Sequence, residues 1–190
     1  MKTWKIAALV IITELLIVVF AIYDYGLGNP GFQAVARFSG RFSLIIFSII
    51  FLFNEKAKNS ILLGKPYHIF ALAHFIHLIE LSFYVYKAEV SLVPVRLIGG
   101  FIAYVYLLIM PFLFELVESG KLSARKFVIT EKIFQYYIWF IFFMVYLSRV
   151  RGTLPNIGGS YWDHVVLLGW VSLMMGMKIT RLIIFRSSVK

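Results

Sequence analysis

The composition of this 190-residue chain is that of a membrane protein: 61% of its residues are hydrophobic, 18% aromatic and only 15% charged, with a mean hydropathy of +0.87. Soluble domains average about 45 to 50% apolar and about 25% charged residues. The lack of cysteine excludes a disulfide, a thiolate metal site and covalent attachment of haem c. We attribute the net charge of +10 to basic residues near the membrane surface, which sets nucleic acid aside as a partner.

Six apolar runs, separated by charged or Gly/Pro-rich breaks, predict an all-α, polytopic bundle of six transmembrane helices. Each span needs about 20 residues, so six spans leave no room for a nucleotide-binding or flavin-binding domain. The first run has no small-residue cleavage site and is interpreted as a retained anchor rather than a signal peptide. We expect a single membrane domain over residues 1–190, with spans at about 6–23, 34–53, 66–86, 92–117, 127–147 and 161–185.

The distribution of basic residues predicts that both termini are cytoplasmic. This orientation places 13 of the 19 Lys and Arg side chains on the cytoplasmic side, in agreement with the positive-inside rule. The cytoplasmic set is Lys2, Lys5, Lys56, Lys58, Lys65, Lys121, Arg125, Lys126, Lys132, Lys178, Arg181, Arg186 and Lys190. The opposite set is Arg37, Arg41, Lys87, Arg96, Arg149 and Arg151.

The third predicted span holds most of the histidines at membrane depth, where polar groups are functional candidates by default. His74 and His77 share one helix face, and we expect them to face the bundle interior because lipid offers their ring N–H groups no partner. Rings one turn apart do not reach opposite sides of one haem iron. A haem held here therefore needs a ligand from another helix, and His164 in the sixth span is the candidate. The alternative is structural, with imidazoles that hydrogen-bond across helices.

Several charged residues also lie within or beside the predicted spans. Arg37 and Arg41 share a face and are expected partners of Glu80. One interpretation is a proton or ion pathway, and the other is charge neutralisation with snorkelling of the long side chains. The candidates are the acids Glu14, Glu80 and Glu131 and the bases Arg37, Arg41 and Arg96.

A set of short motifs follows in order along the chain. They are Arg37-Phe38-Ser39-Gly40, Gly64, Ala73-His74-Phe75-Ile76-His77-Leu78, Gly99-Gly100, and Phe127-Val128-Ile129-Thr130-Glu131-Lys132 leading to Tyr136-Tyr137-Ile138-Trp139. Over roughly residues 37–177 this order resembles the ferric reductase-like transmembrane family, specifically its small bacterial members without flavin or nicotinamide domains. The resemblance implies a six-helix bundle in the bacterial inner membrane. It also implies haem b held by histidines of the third and fifth spans, and electron transfer with a separate redox partner.

The chain departs from this family in the fifth span. The family's histidine there corresponds to Glu131 and its tryptophan to Phe127. A carboxylate is a poor axial ligand for low-spin haem b, so three alternatives remain: His164 substitutes, the haem is five-coordinate on His74 or His77, or the cofactor has been lost. For Glu131 we expect a structural role in the first turn of its helix, beside the positive end of the helix dipole and within reach of water or a basic neighbour.

Three functions follow from these observations, and the sequence leaves open whether the protein is an enzyme. The first is a non-catalytic accessory or structural subunit of a larger membrane complex. The second is a haem b subunit that transfers electrons across the membrane. The third is a small transporter that uses Glu14, Glu80 and the arginines.

Overall fold

The computed structural model describes residues 3–53, 55–90, 94–153 and 158–188. Over these residues the chain forms seven helices and no strand, which confirms the all-α prediction. The helices are α1 (Thr3–Tyr25), α2 (Asn29–Leu52), α3 (Glu55–Ile61), α4 (Pro66–Lys87), α5 (Pro94–Glu118), α6 (Ala124–Val150) and α7 (Tyr161–Ser188).

Five of these helices, α1, α2, α4, α5 and α6, are long and apolar enough to cross a membrane. Their number and composition agree with an integral membrane protein. Within the described part of the chain, α7 is not among them, so the predicted count of six spans is not confirmed.

The helix boundaries follow local sequence signals. Proline stands in the first turn of α2 and α4, where its missing N–H leaves no intrahelical hydrogen bond unmade. α6 begins at Ala124 rather than at the predicted Phe127, so each of its residues lies three positions farther from the helix N-terminus than expected. The short helix α3 was not predicted, because its charged sequence is typical of a loop. An ion pair between Glu55 and Lys58, three residues apart, stabilises it.

α2 lies at the centre of the bundle, where it packs against α1, α3, α4, α6 and α7. The core beside it is aromatic. Phe47 is fully buried, and its ring centroid lies 5.5 to 5.6 Å from those of Phe51, Phe70 and Phe142. Aromatic rings therefore fill the space between α2, α4 and α6.

The outer faces of the helices are apolar and exposed. On α1, the side chains of Leu9, Ile12, Leu16 and Val19 are all exposed. A contiguous apolar face of this kind on a spanning helix is suited to contact with lipid acyl chains.

Ion pairs distinguish the two ends of the bundle. At one end, which we call the Lys58 end, α2 and α5 end and α4 and α6 begin, and Lys65 pairs with Glu118 at 2.7 Å. At the other, which we call the Arg41 end, α6 ends and α7 begins, and Arg41 pairs with Asp163 at 2.8 Å.

Candidate functional site

His74 and His77 lie inside the bundle, in agreement with the sequence-based expectation. Their ring centroids are 5.3 Å apart. The ring of His74 packs against Phe70 of its own helix at 5.5 Å, Tyr104 of α5 at 5.1 Å and Phe142 of α6 at 6.0 Å. The histidine pair is thus part of the aromatic core between α4, α5 and α6.

Gly40 of α2 provides the space for the His77 ring. A Cβ atom at position 40 would lie 3.0 Å from Cε1 of His77 and 3.3 Å from its Nε2. Any larger residue would push the imidazole or the helix away, so the glycine permits the close approach of α2 and α4. The His77 ring interacts with the backbone of Ala36, while the Nδ1 atoms of His74 and His77 are buried without a hydrogen-bond partner.

His164 is only 2% exposed and lies in the first part of α7. Neither of its ring nitrogens makes a hydrogen bond of good geometry, although the backbone of Gly158 lies beside the ring. Among the described residues, no ring contact joins His164 to His74 or His77, and no group of three or more metal-ligating side chains occurs. The structure brings His74 and His77 together, and ligation of a haem by His164 stays a prediction.

Glu131 lies at the centre of a buried network at the Lys58 end. The Nζ atom of Lys58 lies 2.6 Å from Oε1 of Glu131 and 2.7 Å from Oε1 of Glu55. The Tyr67 hydroxyl donates a hydrogen bond to the same oxygen of Glu131, and the Gln135 amide donates another at 2.9 Å. Lys58 is 0% exposed and Glu131 is 6% exposed. One carboxylate oxygen thus accepts hydrogen bonds from one cation and two neutral donors.

The expectation that Glu131 lies in the first turn of its helix is wrong. α6 begins at Ala124, and its first turn holds no acidic residue. Since the dipole effect is confined to the first turn, it does not explain this acid. The positive charge comes from Lys58 of α3, a basic neighbour of the kind that the sequence analysis foresaw without identifying.

The same network ties α7 to the centre of the bundle. Lys178 donates to Oε1 of Gln135 at 2.8 Å and to the carbonyl of Phe51 at 2.6 Å. Arg181 donates to the carbonyl of Leu52. These two carbonyls belong to the last turn of α2, which has no intrahelical donors for them, so two cations of α7 cap the C-terminus of α2.

A second group of acids, buried Glu14 and half-buried Glu80, lies where α1, α2 and α4 meet, and we call it the Glu14–Ser39–Glu80 cluster. Glu14 is 3% exposed, and neither of its carboxyl oxygens has a hydrogen-bond partner. Glu80 interacts electrostatically with Glu14, and its Oε2 atom is also buried without a partner. The fully buried hydroxyl of Ser39 lies beside both carboxyl groups without a hydrogen bond of good geometry to either.

An apolar groove of about 410 Å³ lies between α1 and α4, over this cluster. Glu14 and Glu80 line it together with aliphatic residues such as Leu15 of α1 and Ile79 of α4. Leu15 is 57% exposed and Ile79 is 56% exposed. The groove therefore opens on the outer surface of the bundle.

The predicted pairing of Arg37 or Arg41 with Glu80 is not what the structure shows. Arg41 pairs with Asp163 of α7, and no ion pair joins either arginine to Glu80 within the described residues. The reason is that Glu80 faces α1 and Ser39, whereas Arg41 faces the start of α7. The side chain of Arg96 lies outside the described residues.

Arg37 packs against aromatic rings instead. Its guanidinium lies 5.3 Å from the ring centroid of Tyr25 and 5.1 Å from that of Phe38, distances typical of cation–π contacts. Gly159 also lies against this side chain, since a Cβ there would be 3.0 Å from its Nη1 atom. Arg149 of α6 interacts electrostatically with Arg37 and Arg41, so the Arg41 end is rich in positive charge.

The residues at the two ligand positions of the ferric reductase-like family do not fit a haem b held between α4 and α6. Oε1 of Glu131 already accepts hydrogen bonds from Lys58, Tyr67 and Gln135. The ring of His74 packs against Tyr104 and Phe142.

Comparison with known proteins identifies no relative: no protein-family model, curated protein or solved structure matches this chain. The resemblance to the ferric reductase-like family therefore rests on the motifs alone.

Sequence reasoning missed four residues of these two clusters. The sequence places Lys58 on the cytoplasmic side between two predicted spans, and only the acid three residues before it hints at helix α3. Tyr67 and Gln135 carry no signal, since each is an ordinary residue of an apolar helix. Ser39 was quoted as part of a motif, but its position beside two acids depends on how three helices pack.

Proposed function

We propose that this chain is an integral membrane protein of the ferric reductase-like fold that has lost its haem. It acts as a non-catalytic accessory or structural subunit of a larger membrane complex, in a bacterial inner membrane with both termini cytoplasmic. The observation that carries this proposal is the network around Glu131, in which Lys58 is the charge partner.

A haem ligand must offer a free lone pair to the iron. Oε1 of Glu131 instead accepts three hydrogen bonds, and the carboxylate is paired with Lys58. Withdrawing the carboxylate from that network would leave the buried ammonium group of Lys58 with only the exposed Glu55 as an acidic partner, which is unfavourable. Glu131, at the position that binds iron in the family, therefore has a structural role in this chain.

The accessory role also fits the distribution of polar and apolar surface. The inward faces are occupied by aromatic packing and ion pairs, and the outer faces, such as that of α1, are apolar. Those outer faces suit lipid and the transmembrane helices of partner subunits. A small transporter is the second candidate function, favoured by the unpartnered acids of the Glu14–Ser39–Glu80 cluster.

The absorption spectrum of the detergent-purified protein tests the loss of haem. We expect no Soret band from the wild-type protein and none from Glu131→Gln. A stoichiometric Soret band that Glu131→Gln abolishes would make Glu131 a ligand or its direct support. A band that His74→Ala or His77→Ala abolishes would favour the haem b electron-transfer subunit.

Cysteine labelling in intact cells tests the orientation. Leu27, which is 84% exposed, lies between α1 and α2, and Lys121 lies between α5 and α6. Because the chain has no native cysteine, Leu27→Cys and Lys121→Cys each carry one reactive thiol. An impermeant thiol reagent should label Leu27→Cys and spare Lys121→Cys, and the reverse pattern would invert the topology.

A further inference from the structure

We propose that the Glu14–Ser39–Glu80 cluster is a proton-binding site, in which the unpartnered carboxyl groups of Glu14 and Glu80 take up protons at neutral pH. The three residues come from three helices, α1, α2 and α4, and the hydroxyl of Ser39 lies beside both acids. This inference is independent of the haem question, since none of these residues belongs to the network of Glu131.

The first argument is the lack of partners. Both carboxyl oxygens of Glu14, one of Glu80 and the hydroxyl of Ser39 are buried without hydrogen bonds. An ionised carboxylate in apolar surroundings costs far more than a protonated one, so such a group takes up a proton. Two neighbouring carboxylates that share one site do not both ionise, for the same electrostatic reason.

The second argument concerns the charged groups on the neighbouring helices. On α2, Arg37 packs against aromatic rings and Arg41 pairs with Asp163. On α4, His77 lies against Gly40. None of these cations forms an ion pair with Glu14 or Glu80 within the described residues, so a proton is what neutralises the acids.

The third argument concerns the size and chemistry of the site. Two carboxyl groups and one hydroxyl supply fewer than the about six to eight oxygen ligands of Ca²⁺, and Mg²⁺ bound by one or two carboxylates keeps several waters. The groove that leads to the cluster is lined by aliphatic side chains, which give a hydrated cation no partners. A proton needs no further ligands, because it binds directly to a carboxyl oxygen.

Infrared spectroscopy of the protein reconstituted in lipid vesicles tests the proposal. We expect a carbonyl band of protonated carboxyl at neutral pH, which weakens as the pH rises and is lost in the double variant Glu14→Gln/Glu80→Gln. Glu131→Gln is the matched control and should leave the band unchanged, since Glu131 forms an ion pair with Lys58 outside this cluster. A band that persists in the double variant, or no band at neutral pH, would overturn the proposal. If the band were lost on addition of sodium at constant pH, the site would bind a sodium ion in place of the proton, and the proposal would be wrong.

A labelling experiment on the wild-type chain provides a second test of the proposal, which does not depend on folding of the double variant. Dicyclohexylcarbodiimide partitions into apolar regions and reacts with protonated carboxyl groups. At neutral pH we expect an adduct on Glu14 or Glu80 by mass spectrometry, and less of it as the pH rises. A water-soluble carbodiimide should instead modify the exposed Glu118. The proposal is wrong if both membrane-embedded acids remain unmodified by the apolar reagent.

Discussion

Glu131 and Glu14 are buried to a similar degree, at 6% and 3% exposure, yet their surroundings are opposite. Glu131 accepts hydrogen bonds from Lys58, Tyr67 and Gln135, whereas Glu14 has no partner at either oxygen. Burial alone therefore does not reveal what an acid does inside a membrane bundle. The partners decide, because a paired carboxylate stays charged and joins helices, while an unpaired one must take up a proton.

Lys58→Met should give the largest effect on stability. It leaves the carboxylate of Glu131 buried without a cation, and breaking a buried pair in this way costs about 3 to 5 kcal/mol. Unfolding of the purified protein by denaturant in detergent micelles measures this change. The matched control is Lys65→Met, which breaks a more exposed pair with Glu118 and should cost about 1 kcal/mol or less. Equal losses in the two variants would refute the contrast between buried and exposed pairs.

Gly40→Ala should have an intermediate effect. The added Cβ lies 3.0 Å from the His77 ring, so α2 must move away from α4, and Ser39 moves with it. Such overpacking costs about 1 to 3 kcal/mol, which the better helix propensity of alanine offsets in part.

Gly100→Ala is the control for this substitution, since no atom lies within 4 Å of its added Cβ. Denaturant unfolding should show Gly100→Ala unchanged or stabilised and Gly40→Ala destabilised. If both variants were equally stable, the close approach at Gly40 would not matter to the fold.

Glu14→Gln should have the smallest effect at neutral pH. A protonated carboxyl group and an amide have nearly the same shape and are both neutral, so the free energy of unfolding should change by about 1 kcal/mol or less. Glu131→Gln should cost more under the same conditions, because it leaves Lys58 without its buried partner. A large loss of stability in Glu14→Gln would mean that Glu14 is ionised and paired.

The helices could be predicted from the sequence because each follows from a long apolar run with proline, glycine or charge at its ends. Their positions along the chain agree closely, and the inward direction of His74 and His77 followed from the cost of exposing imidazole to lipid. What differs is one end of α6 and the added helix α3, while the predicted count of six spans is not confirmed over the described residues.

The charge partners could not be predicted because they depend on contacts between distant segments. Lys58 and Glu131 are separated along the chain by α4 and α5. Likewise, the sequence pairs Arg41 with Glu80, whereas the packing of α7 brings Asp163 beside Arg41. The depth of a charged residue along its helix limits which residues of other helices can pair with it. The packing of the helices then decides which helix faces are in contact. The same holds for Ser39, whose neighbours come from two other helices.

The central claim is that Glu131 is held by Lys58 as a structural pair, and a double-mutant cycle tests it most directly. Lys58→Met, Glu131→Gln and the double variant are compared with the wild-type protein by denaturant unfolding. We predict that the double variant is less destabilised than the sum of the single variants, with an interaction energy of about 0.5 to 3 kcal/mol, because each residue loses its main reason for burial once the other is gone. Additive losses would contradict the claim and return Glu131 to the list of ligand candidates.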